Sequence, residues 1–554
     1  MRIDTLIENA RITTVDPSRP TAERLGILNG RIIGIDDDLD GVVATDRVDL
    51  GGAPVVPGFN DAHFHFSMVG LEMVQLDLTP ATTPDLETLY ARVRDFAGSR
   101  EEGSWVLAQG YDQNKLGGTH PDREVLDRIA GGRPVYLLHN SHHMAVVNSE
   151  ALRRAGHTDP DQLTAPVGGE LGRRSDGTFS GLLQEQAMTL VTHVLRPVGQ
   201  EALVEGLAAA SRWCAQHGIT SATEPGVGGT MIGHGPADVR AYQVARERGL
   251  LHTRLTLMPY IDALHSIGDI GAGPAQPGWG IDLGVRSGFG DEWVSLGPVK
   301  IMSDGSLIGR TAAMCCDYHD TPGNSGFLQW EQDDLHDLLV TAHVNGWQVA
   351  AHAIGDRAID VVLDAFDDGQ RILPRPDARH RLEHVAVASD AQVDRIVSGG
   401  YIPVPQGRFI SELGDGFASA LGSERLDLAY RMRSFVDAGV ELPGSTDAPV
   451  VSGEPLPSLH DMVNRRSATG VSIGAREALT PAQALRAYTH GSAHAVHEER
   501  FKGTLTPGKA ADLVVLSDDP MSVPPDRIRD IEVRATMVGG VFRHDAEGVL
   551  SAAL

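Results

Sequence analysis

Two histidines one residue apart, His63 and His65, end the apolar run Val55-Val56-Pro57-Gly58-Phe59-Asn60-Asp61-Ala62-His63-Phe64-His65. In an extended strand, residues i and i+2 point to one face, so both imidazoles are expected to aim at one spot. Two neutral imidazoles converging from one rigid element suit a divalent transition metal such as zinc. The plain alternative is a pair of strand histidines satisfied by hydrogen bonds. Four further residues tilt the balance towards a metal. Lys300 lies in Pro298-Val299-Lys300-Ile301-Met302-Ser303-Asp304-Gly305, and His352 in Val349-Ala350-Ala351-His352-Ala353-Ile354-Gly355-Asp356. His384 ends Arg381-Leu382-Glu383-His384, and Asp447 lies in Gly444-Ser445-Thr446-Asp447-Ala448-Pro449. A lone strand histidine is usually a hydrogen-bonded core residue. A lysine in an apolar run is harder to explain structurally, because an unpaired buried ammonium is expensive.

The elements that must position these residues alternate short apolar runs with amphipathic helices, the pattern of a parallel sheet with crossover helices. One helix carries Leu203, Leu207, Ala210 and Cys214 before Gly218; another carries Leu335, Leu338, Leu339 and Ala342 before Gly346. A third is expected to start with Asp390 as N-cap and to stop at Gly399-Gly400. Counting the strands gives 54–65, 219–224, 252–258, 297–302, 347–352, 379–384, 402–405 and 440–447. Eight strands alternating with helices predict an α/β fold, a TIM (β/α)8 barrel with its site at the C-terminal ends of the strands. The six candidates would all stand there. Residues 67–200, which contain strand-like Trp105–Gln109 and Pro134–His139, read as a large insertion after the first strand, placed over the barrel mouth. Residues 1–56 and 498–554 are rich in short strands, including a Gly539-Gly540 hairpin signal, and are expected to combine into one small β-sandwich domain. The barrel domain would then span 57–497.

With 74 acidic against 47 basic side chains, the net charge of −27 opposes nucleic acid as a partner, since phosphate binding needs the opposite sign. Three cysteines cannot build a disulfide framework and read as reduced thiols. The N-terminus lacks a signal peptide's basic and apolar regions, and no stretch approaches the ~18 apolar residues of a membrane helix. The expectation is a cytoplasmic protein acting on a small molecule, with no nucleic-acid or membrane partner and a homodimer as the default assembly.

In these motifs and their order the chain resembles the amidohydrolase superfamily, in the branch of TIM-barrel metal-dependent hydrolases that includes N-substituted formamide deformylase. The resemblance runs over nearly the whole length. It also takes in Asn140-Ser141-His142-His143, Asn148-Ser149-Glu150-Ala151-Leu152, His352-Ala353-Ile354-Gly355-Asp356-Arg357-Ala358 and the tail Gly503-Thr504-Leu505-Thr506-Pro507-Gly508-Lys509-Ala510-Ala511-Asp512-Leu513. It implies a binuclear site. His63, His65 and Asp447 would hold one metal and His352 and His384 the second, with Lys300 bridging them as a carbamate formed with carbon dioxide. A free ammonium has no lone pair and cannot ligate. Two zinc ions are implied, with Mn2+, Fe2+ or Co2+ as alternatives. Set ~3.5–4 Å apart, they would activate water and polarise a carbonyl, while Asp447 moves the proton as base and then acid. Hydrolysis of a C–N bond in an amide, formamide or cyclic amide follows. Ser445-Thr446 precede Asp447 where relatives often read Gly-Ser-Asp. One-metal members of the superfamily, deaminases or isomerase-like enzymes, are the alternative, and a metal-free binding protein on an inherited barrel is a third reading.

By the same resemblance His143 would contact substrate or stabilise an oxyanion, although its neighbour His142 could be the inward one. Asp304 and Arg310 would contact substrate or form a salt-bridged loop pair, and Glu224 carries the same choice with a structural role favoured. His120, His157 and His319 are expected to be solvent-exposed loop residues. Trp105, Tyr111 and Trp330 would line an apolar pocket or belong to the core. Specificity in a barrel lives in its loops, so the substrate is not legible here.

Overall fold

The computed structural model describes the 554-residue chain apart from residues 142–143, 167–168, 196–197, 230–231, 269–277, 547 and 549–554. It divides into two compact units, Met1–Ser67 with Ala210–Leu554, and Met68–Ala209.

Seven parallel strands of the first unit frame the candidate residues, β1 (Phe59–Asp61), β2 (Ile219–Val227), β3 (Arg254–Pro259), β4 (Val299–Met302), β5 (Val349–Ala353), β6 (Arg381–His384) and β7 (Ile402–Val404), with Lys300, His352 and His384 on β4, β5 and β6 themselves. β1, β2 and β3 lie side by side, with the short strand Val294–Leu296 on the far edge of β3. β4, β5, β6 and β7 form a second parallel sheet. Their residues are buried on both faces, as a parallel sheet covered by helices requires. The ladders thus form two four-stranded parallel sheets, and one bridge, between Tyr260 and Lys300, links the β3 side to β4.

Six of the expected strands shift by one to three residues at an end, and two differ in kind. Residues 54–65 are not one strand: Pro54–Pro57 belongs to another sheet, and after Gly58 the chain starts β1, which stops at Asp61. Residues 440–447 form no ladder. Ser445 makes one parallel bridge with Gln406, Ala62 N donates to Gly444 O at 3.0 Å, and Asp447 N donates to His63 O at 2.8 Å. Residues 442–447 are all buried, but their amides are spent on several partners.

The crossover helices follow their apolar stripes. Gln332–Val344 buries Leu335, Leu339 and Ala342 ahead of β5. Asp390–Gly399 is capped by Ser389, one residue earlier than expected, because Ser389 and Gln392 form a reciprocal capping box. It ends at Gly400 in the left-handed region (φ 65°), where a side chain would be strained.

Strands from both chain ends pair. The six-stranded sheet runs, in spatial order, Val541–Asp545, Val533–Val538, Leu513–Leu516, Pro54–Pro57, Arg11–Thr13 and Thr21–Ala22. A four-stranded sheet contains Arg31–Ile35, Leu25–Leu28, Arg2–Glu8 and Val43–Asp49. Ile7, Leu25 and Ile35 of the smaller sheet share one core with Val55, Leu513 and Met537 of the larger. The buried Arg254–Asp512 pair (Nε to Oδ2 2.7 Å, Nη2 to Oδ1 3.1 Å) ties β3 to the residue just before Leu513–Leu516.

The second unit has its own six-stranded sheet, in which Val106–Tyr111 and Val135–His139 are parallel neighbours, and helices Leu86–Ser99 and Arg123–Ile129. Its core includes the fully buried Tyr111. Among the described residues no helix is long and apolar enough to cross a membrane.

Candidate metal centre

Strand β1 ends because the Asp61 side chain captures the backbone that follows. Asp61 Oδ1 accepts from His63 N at 3.0 Å and from Thr446 N at 3.2 Å, while Oδ2 accepts from Thr446 Oγ1 at 2.6 Å. Burial pushes this carboxyl up to about 7 despite those donors. His63 and His65 therefore lie beyond the strand, and turn geometry rather than strand alternation brings their rings to 5.6 Å. The same tie holds the Asp447 segment beside His63.

Three histidines are oriented by one device. His63 Nδ1 lies 2.5 Å from Glu383 Oε2, His352 Nδ1 2.8 Å from Asp304 Oδ1, and His384 Nδ1 2.8 Å from Gln406 Oε1. An ionised carboxylate only accepts, so His63 and His352 carry the proton on Nδ1. Gln406 spends its Nε2 on Val404 O and Ser445 Oγ, which leaves its oxygen for His384. Each Nε2 keeps a lone pair, the arrangement of a metal-ligating histidine with its outer partner. Burial, reinforced by neighbouring cationic groups, holds His63 and His384 well below the usual imidazole range, so both are neutral. Their ring centres are 5.2 Å apart, and that of His352 is 4.5 Å from His384.

The carboxylate completes the cluster. Asp447 Oδ1 stands 3.1 Å from His65 Nε2 and 3.4 Å from His63 Nε2. Neither approach has hydrogen-bond geometry, and Oδ1 is a buried acceptor without a hydrogen-bond donor among the described residues, as His65 Nδ1 is a ring nitrogen without a partner. Such atoms are expensive unless something absent from the protein satisfies them. Burial pushes Asp447 up, but His63, His65 and Lys300 more than offset it and leave it below the ordinary carboxylate range. Ligand atoms of His63, His384 and Asp447 all lie within 4.8 Å of one another. Donors each ~2 Å from one cation need such proximity, so the donor set fits a divalent metal.

Lys300 is buried in the same cluster, facing the charges of Glu383 and Asp447. Burial outweighs these carboxylates and lowers its ammonium to about 8. Among the described residues it forms no ion pair within 4.0 Å. A buried amine that is partly neutral near physiological pH is nucleophilic, which is what carbamate formation demands.

Backbone conformation marks the same place. His384 (φ 76°), Val385 (φ 46°) and Asp447 (φ 64°) occupy the left-handed region, which is costly for non-glycine residues and concentrates at functional sites. At His384 it breaks the alternation of β6, so that His384 and Glu383 serve one site although they are adjacent.

Four participants carry no sequence signal of their own. Glu383, Gln406 and Asp61 orient candidate ligands or the backbone that bears them. Arg381 donates to both oxygens of Glu383 (2.8 and 2.9 Å) and to Ala62 O at 2.7 Å. Asp304 is neither paired with Arg310 nor exposed. Fully buried, it accepts from His352 Nδ1, Ile354 N, Gly355 N and Ala313 N. Arg310 pairs with Asp320 instead. Glu224 accepts from Ser67 N at 2.8 Å and Ser67 Oγ at 2.9 Å, at the start of helix Phe66–Val74, and burial lifts it to about 8. His142 and His143 lie outside the described residues. Of the three loop histidines only His319 is exposed; His120 and His157 are half-buried against Tyr111 Oη and Leu190 O. Trp330 donates to Met302 O at 2.8 Å, bracing the end of β4, and Trp105 packs on the core of the second unit.

Residues 46–544 match the amidohydrolase family. The chain is 31% identical over 554 residues to the protein LONG AFTER FAR-RED 3 of Arabidopsis thaliana, covering 97% of this chain and 91% of that one. It is 28% identical over 559 residues to N-substituted formamide deformylase of Arthrobacter pascens, covering 98% and 99%. A crystal structure of an uncharacterized metal-dependent hydrolase from Pyrococcus furiosus superposes with a TM-score of 0.74 at 26% identity, over 94% of this chain and all of the other. On this evidence the chain belongs to the amidohydrolase family.

Proposed function

We propose that this hydrolase cleaves a C–N bond in a small amide, formamide or cyclic amide, using His63, His65, His352, His384, Asp447 and a carboxylated Lys300 to hold two divalent cations, zinc first among them. The observation that carries the reading is the orphaned Asp447 Oδ1 between the imidazoles of His63 and His65. The similarity to N-substituted formamide deformylase supports the substrate class. We further infer that the seven strands and residues 444–447 make one eight-membered barrel, an arrangement favoured by the bonds of Ala62 to Gly444 and of Asp447 to His63.

Divalent cations in this site lower the pKa of water and polarise a carbonyl. The rest falls to the chain. Asp447, held below the usual carboxylate range, is ionised and accepts the proton of the attacking water. It then returns that proton to the leaving nitrogen, which would otherwise depart as an unstable amide anion. Glu383, Asp304 and Gln406 keep three imidazoles aimed inward throughout, and burial of the cluster keeps bulk water from screening these charges.

A one-cation site is the second reading, favoured by the trio of His63, His384 and Asp447, which draws on both halves of the expected binuclear set. Metal analysis of the purified protein separates the readings: about two equivalents per chain support the first and about one the second. A screen of N-formyl and N-acyl amines, hydantoins and lactams with zinc- and manganese-loaded protein tests the chemistry. No bound metal, or no hydrolysis of any C–N substrate, would overturn the proposal.

A further inference from the structure

The loop that follows β4 carries two adjacent cysteines, Cys315 and Cys316, both free and both exposed. Neighbouring side chains on an extended backbone point to opposite sides, yet these two Sγ atoms lie only 3.6 Å apart, with the Cys315 thiol donating to Cys316 Sγ. Burial, and after it the nearby Asp356 carboxylate, pushes the Cys315 thiol up to about 12, in keeping with its part as the S–H donor. Arg425 Nη1 approaches the same Cys316 Sγ at 3.0 Å, and Arg425 is itself held by Nη2 donating to Asp317 O at 2.7 Å. The backbone beneath the pair is fixed: Cys315 N donates to Asp356 Oδ1 at 2.7 Å and Met314 N to Ser325 O at 2.8 Å.

The geometry points to a dithiol site that captures trivalent arsenicals, apart from the imidazole and carboxylate cluster. Soft thiolate sulfur favours soft, thiophilic centres over the borderline cations that imidazole suits. Two sulfurs each ~2.3 Å from one centre are ~3.4–3.6 Å apart at the ~95–105° angle of pyramidal trivalent arsenic, so the observed spacing needs almost no adjustment. A disulfide between the same atoms would need ~2.05 Å and a rearranged loop. With phenylarsine oxide the step balances without electron transfer. Two As–S bonds form, the arsenic–oxygen bond breaks, and the oxygen leaves as water with the two thiol protons, arsenic remaining trivalent.

Intact-mass spectrometry of the full-length protein with phenylarsine oxide tests this. One phenylarsenic adduct per chain is expected, released by 2,3-dimercaptopropanol and not by an equal concentration of 2-mercaptoethanol. Cys315→Ser and Cys316→Ser should each weaken capture by at least ~100-fold, because the second sulfur no longer adds through proximity. Cys214→Ser, at a buried position, should leave it intact. Circular dichroism of each variant confirms that the fold is kept. Absence of the adduct on the unaltered protein, or its persistence in Cys315→Ser or Cys316→Ser, overturns the assignment.

Discussion

Replacing Glu383 with glutamine tests whether the carboxylate behind His63 serves the site or only the fold. Glu383 is fully buried and makes three contacts: two with Arg381 (2.8 and 2.9 Å) and one with His63 Nδ1 (2.5 Å). Glutamine keeps one accepting oxygen, and its NH2 group can accept from neither partner. Two separate losses follow. The guanidinium of Arg381, equally buried, loses its counter-charge, a change worth about 3–5 kcal/mol of stability. His63 loses the carboxylate that fixes its tautomer and competes with Arg381 for the one neutral oxygen that remains, so metal affinity should fall ~10–100-fold, about 1.4–2.8 kcal/mol. Competition against a chromogenic chelator reads the second effect and denaturant unfolding of the metal-free protein the first. The double variant Arg381→Met with Glu383→Leu separates them. Removing both charges should restore most of the stability, since a buried pair is often no better than an apolar replacement, while metal affinity stays low. If Glu383→Gln bound metal within twofold of the parent protein, the reasoning that Glu383 aims a ligand would be refuted.

Lys300→Ala is expected to abolish hydrolysis and to lower bound metal by about one equivalent or more; unchanged turnover would remove lysine from the bridging role. Asp447→Asn should retain part of the metal and lose ~10²–10⁴-fold in turnover, and near-normal rates would exclude Asp447 as the proton carrier. Glu224, lifted to about 8 in the folded state, takes up a proton on folding at neutral pH, so its contribution to stability falls as pH rises from about 4.5 to about 8. Glu224→Gln should therefore be more stable than the parent at pH 9, by on the order of 5 kcal/mol in denaturant unfolding, and lose that advantage near pH 5. A difference independent of pH would show that burial is not what raises this group.

The candidate ligands were legible in the sequence where they end or interrupt a short apolar run, as His63, His65, His352 and Lys300 do, and because a lysine in such a run demands a reason. The crossover helices were legible from their periodicity. What the sequence hid is set by single side chains acting at a distance. Strand β1 stops at Asp61 because that carboxylate binds Thr446, 385 positions away in the chain, and no local pattern announces such a stop. Residues 440–447 open with the alternation Val440-Glu441-Leu442 of a strand, yet their amides are shared among several partners. Asp304 was weighed as a surface ion-pair residue because charged loop residues usually are; four inward donors make it the support of His352 instead. Adjacency in sequence also hides the link between Glu383 and His384, where a left-handed residue turns two neighbours towards a common task.

Between the strand Pro54–Pro57 and β1 there is one residue, Gly58, whose missing side chain leaves room for Thr220. Pro54–Pro57 is paired with Leu513–Leu516, so the first ligand-bearing strand hangs from a partner made some 450 residues later. At ~5–20 residues per second, synthesis needs roughly 25–90 s to deliver that partner. His63 and His65 spend that interval without this anchorage, and a chain cut short before residue 513 would hold all six candidate residues yet lack the neighbour that pairs with Pro54–Pro57 on this side.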